Sequence, residues 1–273
     1  MRKYLIITFL PFFLYACNIV DDDVHVYRRD SKTFSASQIE EVEVRTENGG
    51  IETTVWDDDS VQVVFEKWAT GYDEEDAEDN VEDIRIYISE DTTSGVLSID
   101  VDMPKRTGVN YGCDISVRLP PHVYMDLETS NGAITVSESQ DGFECSTSNG
   151  AIVIQDTQGN AALRTSNGEI IVRNHYGELN GRTSNGKIDA EVTLPRQGEC
   201  ELKTSNGSIV LSIPNTTSAV IKASTSSGKI EVEDLQVAIS RMGKGDFEGT
   251  MRDGEANIEL ETSNGSVLIK RSS

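Results

Sequence analysis

The stretch that decides the fold is Thr165–Val172, which reads TSNGEIIV. Its first four residues recur through the second half of the chain, and the identical copies begin at Thr129, Thr147, Thr165, Thr183, Thr204 and Thr262. The first four copies lie 18 residues apart. A fixed period of this order is typical of stacked repeat architectures. Two looser copies, Thr-Ser-Ser-Gly at Thr225 and Thr-Glu-Asn-Gly at Thr46, extend the pattern.

Short runs in which apolar and polar residues alternate lie on both sides of each copy. Ile134-Thr135-Val136 follows one copy, and Phe143, Cys145 and Thr147 share one parity in the run that leads to the next. Alternation with period two predicts half-buried strands, with each threonine facing the core and each serine facing solvent. The corners then fall at Asn131, Gly132, Asn149, Gly150, Asn167, Gly168, Asn185, Gly186, Asn206, Gly207, Asn264 and Gly265.

Two topologies fit this order of strands and turns. Asn-Gly is the strongest hairpin signal, because both residues tolerate a positive φ, so an up-and-down meander is open. A solenoid explains more, since identical turns on one side would stack threonine on threonine and asparagine on asparagine. We therefore predict an all-β fold, a β-helix-like β-solenoid of stacked two-stranded coils with Thr-Ser-Asn-Gly corners.

Outside the regular repeats the chain carries longer excursions. We assign residues 129–273 to the regular solenoid, with a glycine-rich insertion at 234–256 that lengthens the last coil and covers the open C-terminal edge. Residues 35–128 form an N-terminal β region continuous with it. Within that region Ala77, Val81 and Ile84 have helical spacing in an acidic segment, which predicts one short helix lying over the sheet.

The N-terminus has the features of a bacterial lipoprotein signal. Residues 1–16 combine Arg2 and Lys3 with an apolar run, and Cys17 follows where that run ends. We interpret Cys17 as the lipidation site and residues 17–34 as a tether; an ordinary cleaved signal or an uncleaved anchor is the alternative. Asn18, not aspartate, follows the cysteine, which favours an outer-membrane lipoprotein that faces the periplasm or the cell surface.

The repeated Thr-Ser-Asn-Gly-x-Ile-x-Val, the strands before it and the glycine-rich Lys244–Gly249 resemble the bacterial putative-adhesin family of β-strand-repeat proteins. The resemblance covers roughly residues 35–270. The domain of that family has no known function, and no catalytic motif is carried over. The resemblance implies a non-enzymatic protein of the cell envelope.

Composition narrows the classes of partner. The formal net charge is −23, so nucleic acid is not an expected partner. We expect a membrane, contacted through the N-terminal lipid, and a protein or glycan of unknown identity. Apart from Cys17 the chain has three cysteines, Cys113, Cys145 and Cys200, and an odd number cannot pair completely within one chain. The last two lie three coils apart, roughly 14 Å where a disulfide needs less than about 7 Å, so buried unpaired thiols are expected.

Motifs for catalysis or for cofactors are weak. Gly181–Lys187 matches the front of a phosphate-binding loop, but Ile188 stands where a serine or threonine should follow. The acidic run Asp57–Asp59 and the acidic segment after it fit calcium less well than solvated loops, since the recurring turn has no carboxylate. We expect no metal site, no catalytic residues and no cofactor. Paired carboxylates for glycoside hydrolysis stay open.

Trp56 and Trp68 lie on the parity opposite to the apolar residues of their strands. They could form an exposed aromatic platform for sugars, or pack beneath the acidic helix. We interpret the protein as a non-enzymatic, lipid-anchored envelope protein, an adhesin or interaction scaffold that presents an acidic solenoid surface. The alternative is a carbohydrate-binding or polysaccharide-cleaving β-helix protein.

Overall fold

The computed structural model describes residues 24–272. It consists almost entirely of strands in two long sheets that face each other, with one α-helix, α1 (Glu74–Glu82), and a short 3-10 turn at Ala36–Gln38. In chain order the strands are β1 (Val24–Ser35), β2 (Glu41–Asn48), β3 (Ile51–Val55), β4 (Ser60–Gly71), β5 (Arg85–Asp91), β6 (Val96–Asp102), β7 (Tyr111–Leu119), β8 (Tyr124–Asn131), β9 (Ile134–Ser137), β10 (Gly142–Thr147), β11 (Ile152–Gln158), β12 (Asn160–Thr165), β13 (Ile170–Tyr176), β14 (Leu179–Thr183), β15 (Ile188–Thr193), β16 (Glu199–Thr204), β17 (Ile209–Ile213), β18 (Ala219–Thr225), β19 (Ile230–Glu233), β20 (Ala238–Met242), β21 (Asp246–Met251), β22 (Ala256–Thr262) and β23 (Val267–Arg271).

The repeats form a solenoid, as the sequence predicts. We call the eleven-stranded sheet A and the twelve-stranded sheet B. Each regular coil places one strand in sheet B, turns at a Thr-Ser-Asn-Gly corner, and places the next strand in sheet A. Neighbouring coils pair in parallel, with Thr147 opposite Thr165 and Ile152 opposite Ile170. Parallel pairing across one repeat excludes the meander, in which neighbouring strands would be antiparallel.

The core lies between the sheets and is built from columns of like side chains. One column in sheet A is almost entirely isoleucine, and nearly all of its members are fully buried. They are Ile51, Ile134, Ile152, Ile170, Ile188, Ile209, Val267 and Ile230. Full burial of an aliphatic side chain of this size contributes about 1.5–3 kcal/mol. Because each coil is only one strand deep in each sheet, its apolar edges are covered only by stacking on its neighbours.

The spatial order of the coils differs from their order in the chain. Sheet A runs β1-β4-β7-β3-β9-β11-β13-β15-β17-β23-β19, and sheet B runs β20-β21-β18-β22-β16-β14-β12-β10-β8-β2-β6-β5. The coil β22–β23 therefore lies between β16–β17 and β18–β19. At the other end β2–β3 lies between β8–β9 and β6–β7. β18–β19 is the last coil in space, and the 234–256 insertion follows it directly in the chain.

Antiparallel strands close parts of both ends. β1 and β4 form a long antiparallel pair at one edge of sheet A, while β20 and β21 extend sheet B beyond β18 at the opposite end of the molecule. The predicted cover for the C-terminal edge is thus present on sheet B. Residues 24–34, which we assigned to the tether, belong to β1, so the tether prediction was wrong for these residues.

The predicted acidic helix is α1. Asp73 caps it by accepting a hydrogen bond from the Asp76 amide at 2.9 Å, and the acidic first turn suits the positive end of the helix dipole. Ala77, Val81 and Ile84 are buried, as their spacing predicts. The helix packs against β4 and β1, at the same end of the solenoid as the first described residue.

Candidate functional site

The repeated corner is held by two series of side-chain hydrogen bonds. Each inward threonine of the corners from Thr129 onward donates from Oγ1 to the corner glycine carbonyl of the preceding coil in space; Thr165, for example, donates to the Gly150 carbonyl at 2.9 Å. The second series is the Asn ladder, in which each Nδ2 donates to the Oδ1 of the next asparagine. Its members are Asn264, Asn206, Asn185, Asn167, Asn149, Asn131 and Asn48, at 2.7–2.9 Å.

The threonines are buried and the serines are exposed, as the sequence predicts. The reason for glycine at the corner differs from the one we expected. The repeated corner glycines do not have a positive φ. A Cβ on Gly168 would instead lie 1.7 Å from the Gly150 carbonyl oxygen, so glycine is needed because neighbouring coils approach too closely for a side chain.

The opposite corner contains the left-handed residues. Gly142 and Gly159 have φ of 102° and 92°, and Asp156 and Asn174 also adopt positive φ there. Beside this corner, buried His175 faces Thr157. The ring Nε2 lies 3.2 Å from the Glu178 carbonyl, which can only accept, so Nε2 carries the proton and Nδ1 accepts from the Thr157 hydroxyl at 2.9 Å. Burial lowers the pKa of His175.

The outer face of sheet B carries an excess of carboxylates near one end. Arg45 lies 2.8 Å from a Glu43 oxygen, 3.0 Å from Asp126 and 3.7 Å from Glu128. The hydrogen bond from Arg45 lowers the pKa of Glu43. Burial, reinforced by neighbouring carboxylates, raises the pKa of Asp126 and of Glu41 despite the nearby Arg45. Arg45 is therefore a single cation shared by several carboxylates.

The same arrangement recurs towards the other end of sheet B. Lys203 lies 2.6 Å from Glu201, 3.2 Å from Glu259 and 3.6 Å from Glu261. Hydrogen bonds from Lys203 and from Arg182 lower the pKa of Glu201 to about 2. Between the two clusters, Arg164 pairs with Glu144 on the neighbouring strand. The charged side chains of neighbouring strands lie side by side across sheet B because those strands pair residue by residue.

A groove of about 690 Å³ lies where the Asn ladder ends, and we call it the ladder-end groove. It lies between the corner of β2–β3 and the loop 103–110. In the next coil, β6–β7, this loop replaces the corner tetrapeptide. Side chains that line the groove include Glu47, Asn48, Trp68, Lys105, Arg106 and Asp114. Among these residues the sequence indicated only Trp68 as a candidate to contact a ligand. The signal that could have located the groove is the corner tetrapeptide missing between β6 and β7.

The two tryptophans do not form one platform. The Trp56 amide donates to the Leu119 carbonyl at 3.1 Å, whereas Trp68 lies opposite Gly112 on the same strand, β7. Seven residues of strand separate these levels, about 23 Å. Trp68 also does not lie beneath the helix, because it has the opposite parity to Lys67, whose Nζ donates to the Ile84 carbonyl just after the helix. The platform shared by Trp56 and Trp68 is therefore not formed, and the packing of Trp68 beneath the helix was a wrong prediction.

The other candidate residues lie apart from one another. Cys113, Cys145 and Cys200 are buried and unpaired, and burial raises the pKa of all three thiols, those of Cys113 and Cys200 to about 12. Gly181–Lys187 is part of a strand and its corner, with no helix after it. Asp57–Asp59 lies exposed between β3 and β4. Within residues 24–272, no three His, Cys, Asp or Glu side chains are placed to hold a metal ion together.

The predicted lipid anchor and the search for membrane-spanning helices concern different parts of the chain. Cys17, the predicted lipidation site, lies outside the described residues. In the part of the chain that the structure describes, no helix has the length and apolar character needed to cross a membrane.

Solved structures with some likeness to the chain include three bacterial proteins. A putative cell adhesion protein from Clostridium sporogenes is 10% identical with a TM-score of 0.39, and the match covers 90% of this chain and 100% of that one. A putative adhesin from Bacteroides fragilis is 12% identical with a TM-score of 0.41, covering 90% and 97%. A putative lipid binding protein from Parabacteroides distasonis is 14% identical with a TM-score of 0.35, also covering 90% and 97%. At these values they carry no argument about activity.

The family comparison covers nearly the whole described fold. None of the curated proteins compared with the chain matches it. The model of the Toastrack DUF4097 family matches residues 36–270, from the start of the 3-10 turn before β2 into the last strand, β23. The chain therefore belongs to the Toastrack DUF4097 family.

Proposed function

We propose that the protein is a non-enzymatic adhesin or interaction scaffold of the cell envelope, anchored by a lipid on Cys17. Its interaction surface is the outer face of sheet B. The observation that supports this choice is the ratio of charges on that face, where Arg45 and Lys203 are each surrounded by three carboxylates. A partner with a positively charged surface matches this face.

The face is also rigid, which favours binding. Nine strands from β6 to β18 lie side by side in sheet B, and at ~4.8 Å per step they span roughly 38 Å. The Asn ladder and the threonine bonds fix each coil on the next. A preorganised surface loses little conformational entropy when a partner docks, so more of the contact energy remains as affinity.

The position of β1 is compatible with the proposed anchor. The first described residue, Val24, lies at the end of the solenoid that carries α1. Six residues separate it from Cys17, so the two positions are at most about 25 Å apart along the chain. A lipid on Cys17 would hold this end of the molecule close to the membrane and leave sheet B accessible along its length.

Site-specific photocrosslinking in cells tests the surface. A photoreactive residue at Ser146 samples the outer face of sheet B, and one at Thr135 samples the outer face of sheet A as the matched control. We expect a discrete adduct from position 146 that disappears with Glu144→Lys, and none from position 135. Equal adducts from both faces, or an adduct that survives the charge reversal, would contradict the proposal.

Labelling with a fatty-acid probe tests the anchor separately. Cys17→Ser should abolish incorporation of the probe, whereas Cys113→Ala, at a buried thiol, should leave it unchanged. Unchanged labelling of Cys17→Ser would refute lipidation at that residue.

A further inference from the structure

The ladder-end groove has an aromatic wall that is fixed in place. The Trp68 indole lies across Gly112, where an added Cβ would fall 2.2 Å from the ring. The His25 ring lies near the indole, with ring centroids 6.5 Å apart. Trp68 is half-buried, and among residues 24–272 no acceptor bonds its indole N–H. By contrast, the Trp56 indole donates to the Ser60 carbonyl at 2.8 Å. Trp68 thus offers a ring and a free donor.

The Asn ladder presents its donor end to the same groove. Every amide in the series donates in one direction, and Asn48 is the last: its Oδ1 accepts from Asn131 Nδ2 at 2.7 Å. Within the described residues, the Asn48 Nδ2 itself has no acceptor. Chains of aligned hydrogen bonds polarise one another, so the terminal N–H is a better donor than an isolated amide. Its natural acceptor is an oxygen atom of a ligand.

Charge in the groove is balanced. Lys105 lies 3.6 Å from Glu47, while Arg106 lies 2.6 Å from Asp83 and donates to Asn80 Oδ1 at 2.9 Å. Asp114 accepts from the Gly50 amide at 2.7 Å. A carboxylate accepts about four hydrogen bonds, so Glu47 and Asp114 retain free capacity. The groove lining carries two carboxylates, Glu47 and Asp114, and two cations, Lys105 and Arg106. Because these formal charges cancel, the groove favours a neutral ligand rich in hydroxyl groups over an ion.

We propose that the ladder-end groove binds a saccharide. A sugar ring presents C–H groups of partial positive charge, which pack on the electron-rich face of the Trp68 indole. Its hydroxyl oxygens accept from Asn48 Nδ2 and from the indole N–H, and its hydroxyl groups donate to Glu47 and Asp114. The volume lies within the range of small-molecule sites, which combine an aromatic lining with a few placed polar groups. This surface is separate from the acidic face of sheet B.

A glycan array with the purified full-length protein in detergent is the first test, followed by titration of the bound glycan. We expect binding that is at least tenfold weaker in Trp68→Ala and unchanged in Trp56→Phe, the matched control at the distant tryptophan. Absence of binding to any glycan by the unaltered protein would overturn the proposal, as would equal loss in both tryptophan variants.

A second variant separates recognition from stability. Asn48→Asp keeps the oxygen that accepts from Asn131 and removes the donor that faces the groove. We expect several-fold weaker glycan binding with an unchanged melting temperature. Full affinity in Asn48→Asp and Trp68→Ala together would show that the glycan binds elsewhere. Glu144→Lys, which tests the acidic face, should leave glycan binding intact, so the two proposals can fail independently.

Discussion

Replacing Gly168 with alanine tests whether close approach dictates glycine at the corner. The φ of Gly168 is not positive, so alanine can adopt the same backbone conformation without strain. The added Cβ would lie 1.7 Å from the Gly150 carbonyl oxygen and 2.4 Å from its carbon. Since ordinary contacts begin near 3.4 Å, the two coils must separate locally by about 1.5 Å or more.

The bonds across this corner set the magnitude. Thr165 Oγ1 donates to the Gly150 carbonyl at 2.9 Å, Asn167 Nδ2 to Asn149 at 2.8 Å, and the Asn167 amide to the Ser148 carbonyl at 2.9 Å. A separation of this size lengthens all three beyond hydrogen-bonding range. At about 1 kcal/mol each, the free energy of unfolding should fall by about 3 kcal/mol.

Urea denaturation followed by circular dichroism measures this change, and Gly181→Ala is the matched control. A Cβ on Gly181 would meet only the ends of two side chains, Leu202 Cδ2 at 3.0 Å and Ile170 Cδ1 at 3.9 Å. Removing a glycine from a strand should offset the small repacking cost, so Gly181→Ala should stay within about 1 kcal/mol of the parent. A loss under about 0.5 kcal/mol in Gly168→Ala would refute the reasoning.

Three further predictions follow from buried or paired groups. The thiols of Cys113, Cys145 and Cys200 should react with a thiol reagent at pH 8 only when the protein unfolds, because burial raises their pKa; rapid reaction of the native protein would contradict this. Burial lowers the pKa of His175 in the folded protein below 6.5. The contribution of neutral His175 to stability is therefore complete above pH 6.5 and is lost as the pH falls through the pKa of the folded state. As the pH is lowered over this range, the urea midpoint should fall less steeply in His175→Gln than in the unaltered protein. Lys203 and Arg182 lower the pKa of Glu201 to about 2. Ionised Glu201 therefore stabilises the fold fully above pH 4.5, the ordinary pKa of a glutamate, and this contribution is lost as the pH falls towards 2. If stability falls as steeply with acid in Glu201→Gln as in the unaltered protein, the role of Glu201 is contradicted.

The regular half of the molecule could be predicted because its period fixes its register. A repeat of 18 residues places each side chain over its equivalent in the next coil, and the structure pairs Phe143 with Ala161 and Cys145 with Leu163 accordingly. Parity then assigns the threonine of every Thr-Ser-Asn-Gly copy to the core. The helix could be predicted for a similar reason, since Ala77 and Val81 lie one turn apart in an otherwise acidic segment.

Strand β1 could not be predicted from alternation, for a physical reason. It is an edge strand, and of its twelve residues only Val26 is buried. With both faces largely in solvent, the burial that normally produces alternation is absent, and Tyr27–Lys32 reads as a polar linker. Its pairing with β4 along the whole strand rests on backbone hydrogen bonds, which carry no sequence signature.

The groove was hidden from the sequence because it depends on the order of the coils. A period specifies that coils stack, but not which coil is the neighbour of which. The Asn ladder is continuous only in the observed order, where β2–β3 supplies Asn48 to Asn131 and β22–β23 supplies Asn264 to Asn206. The two coils without a corner asparagine in the series, β6–β7 and the Ser227 coil β18–β19, lie at the two ends.

Stacking in chain order would break that series. β6–β7 would then lie against β8–β9, and Asn131 would face a loop in place of Asn48. At the other end Ser227 would separate Asn206 from Asn264, since a serine hydroxyl is too short to bridge an amide ladder. The energy of a few aligned amide bonds therefore favours the swapped order at both ends. The same swap leaves the donor end of the ladder beside the loop 103–110, so the hydrogen bonding that orders the coils also creates the proposed saccharide site.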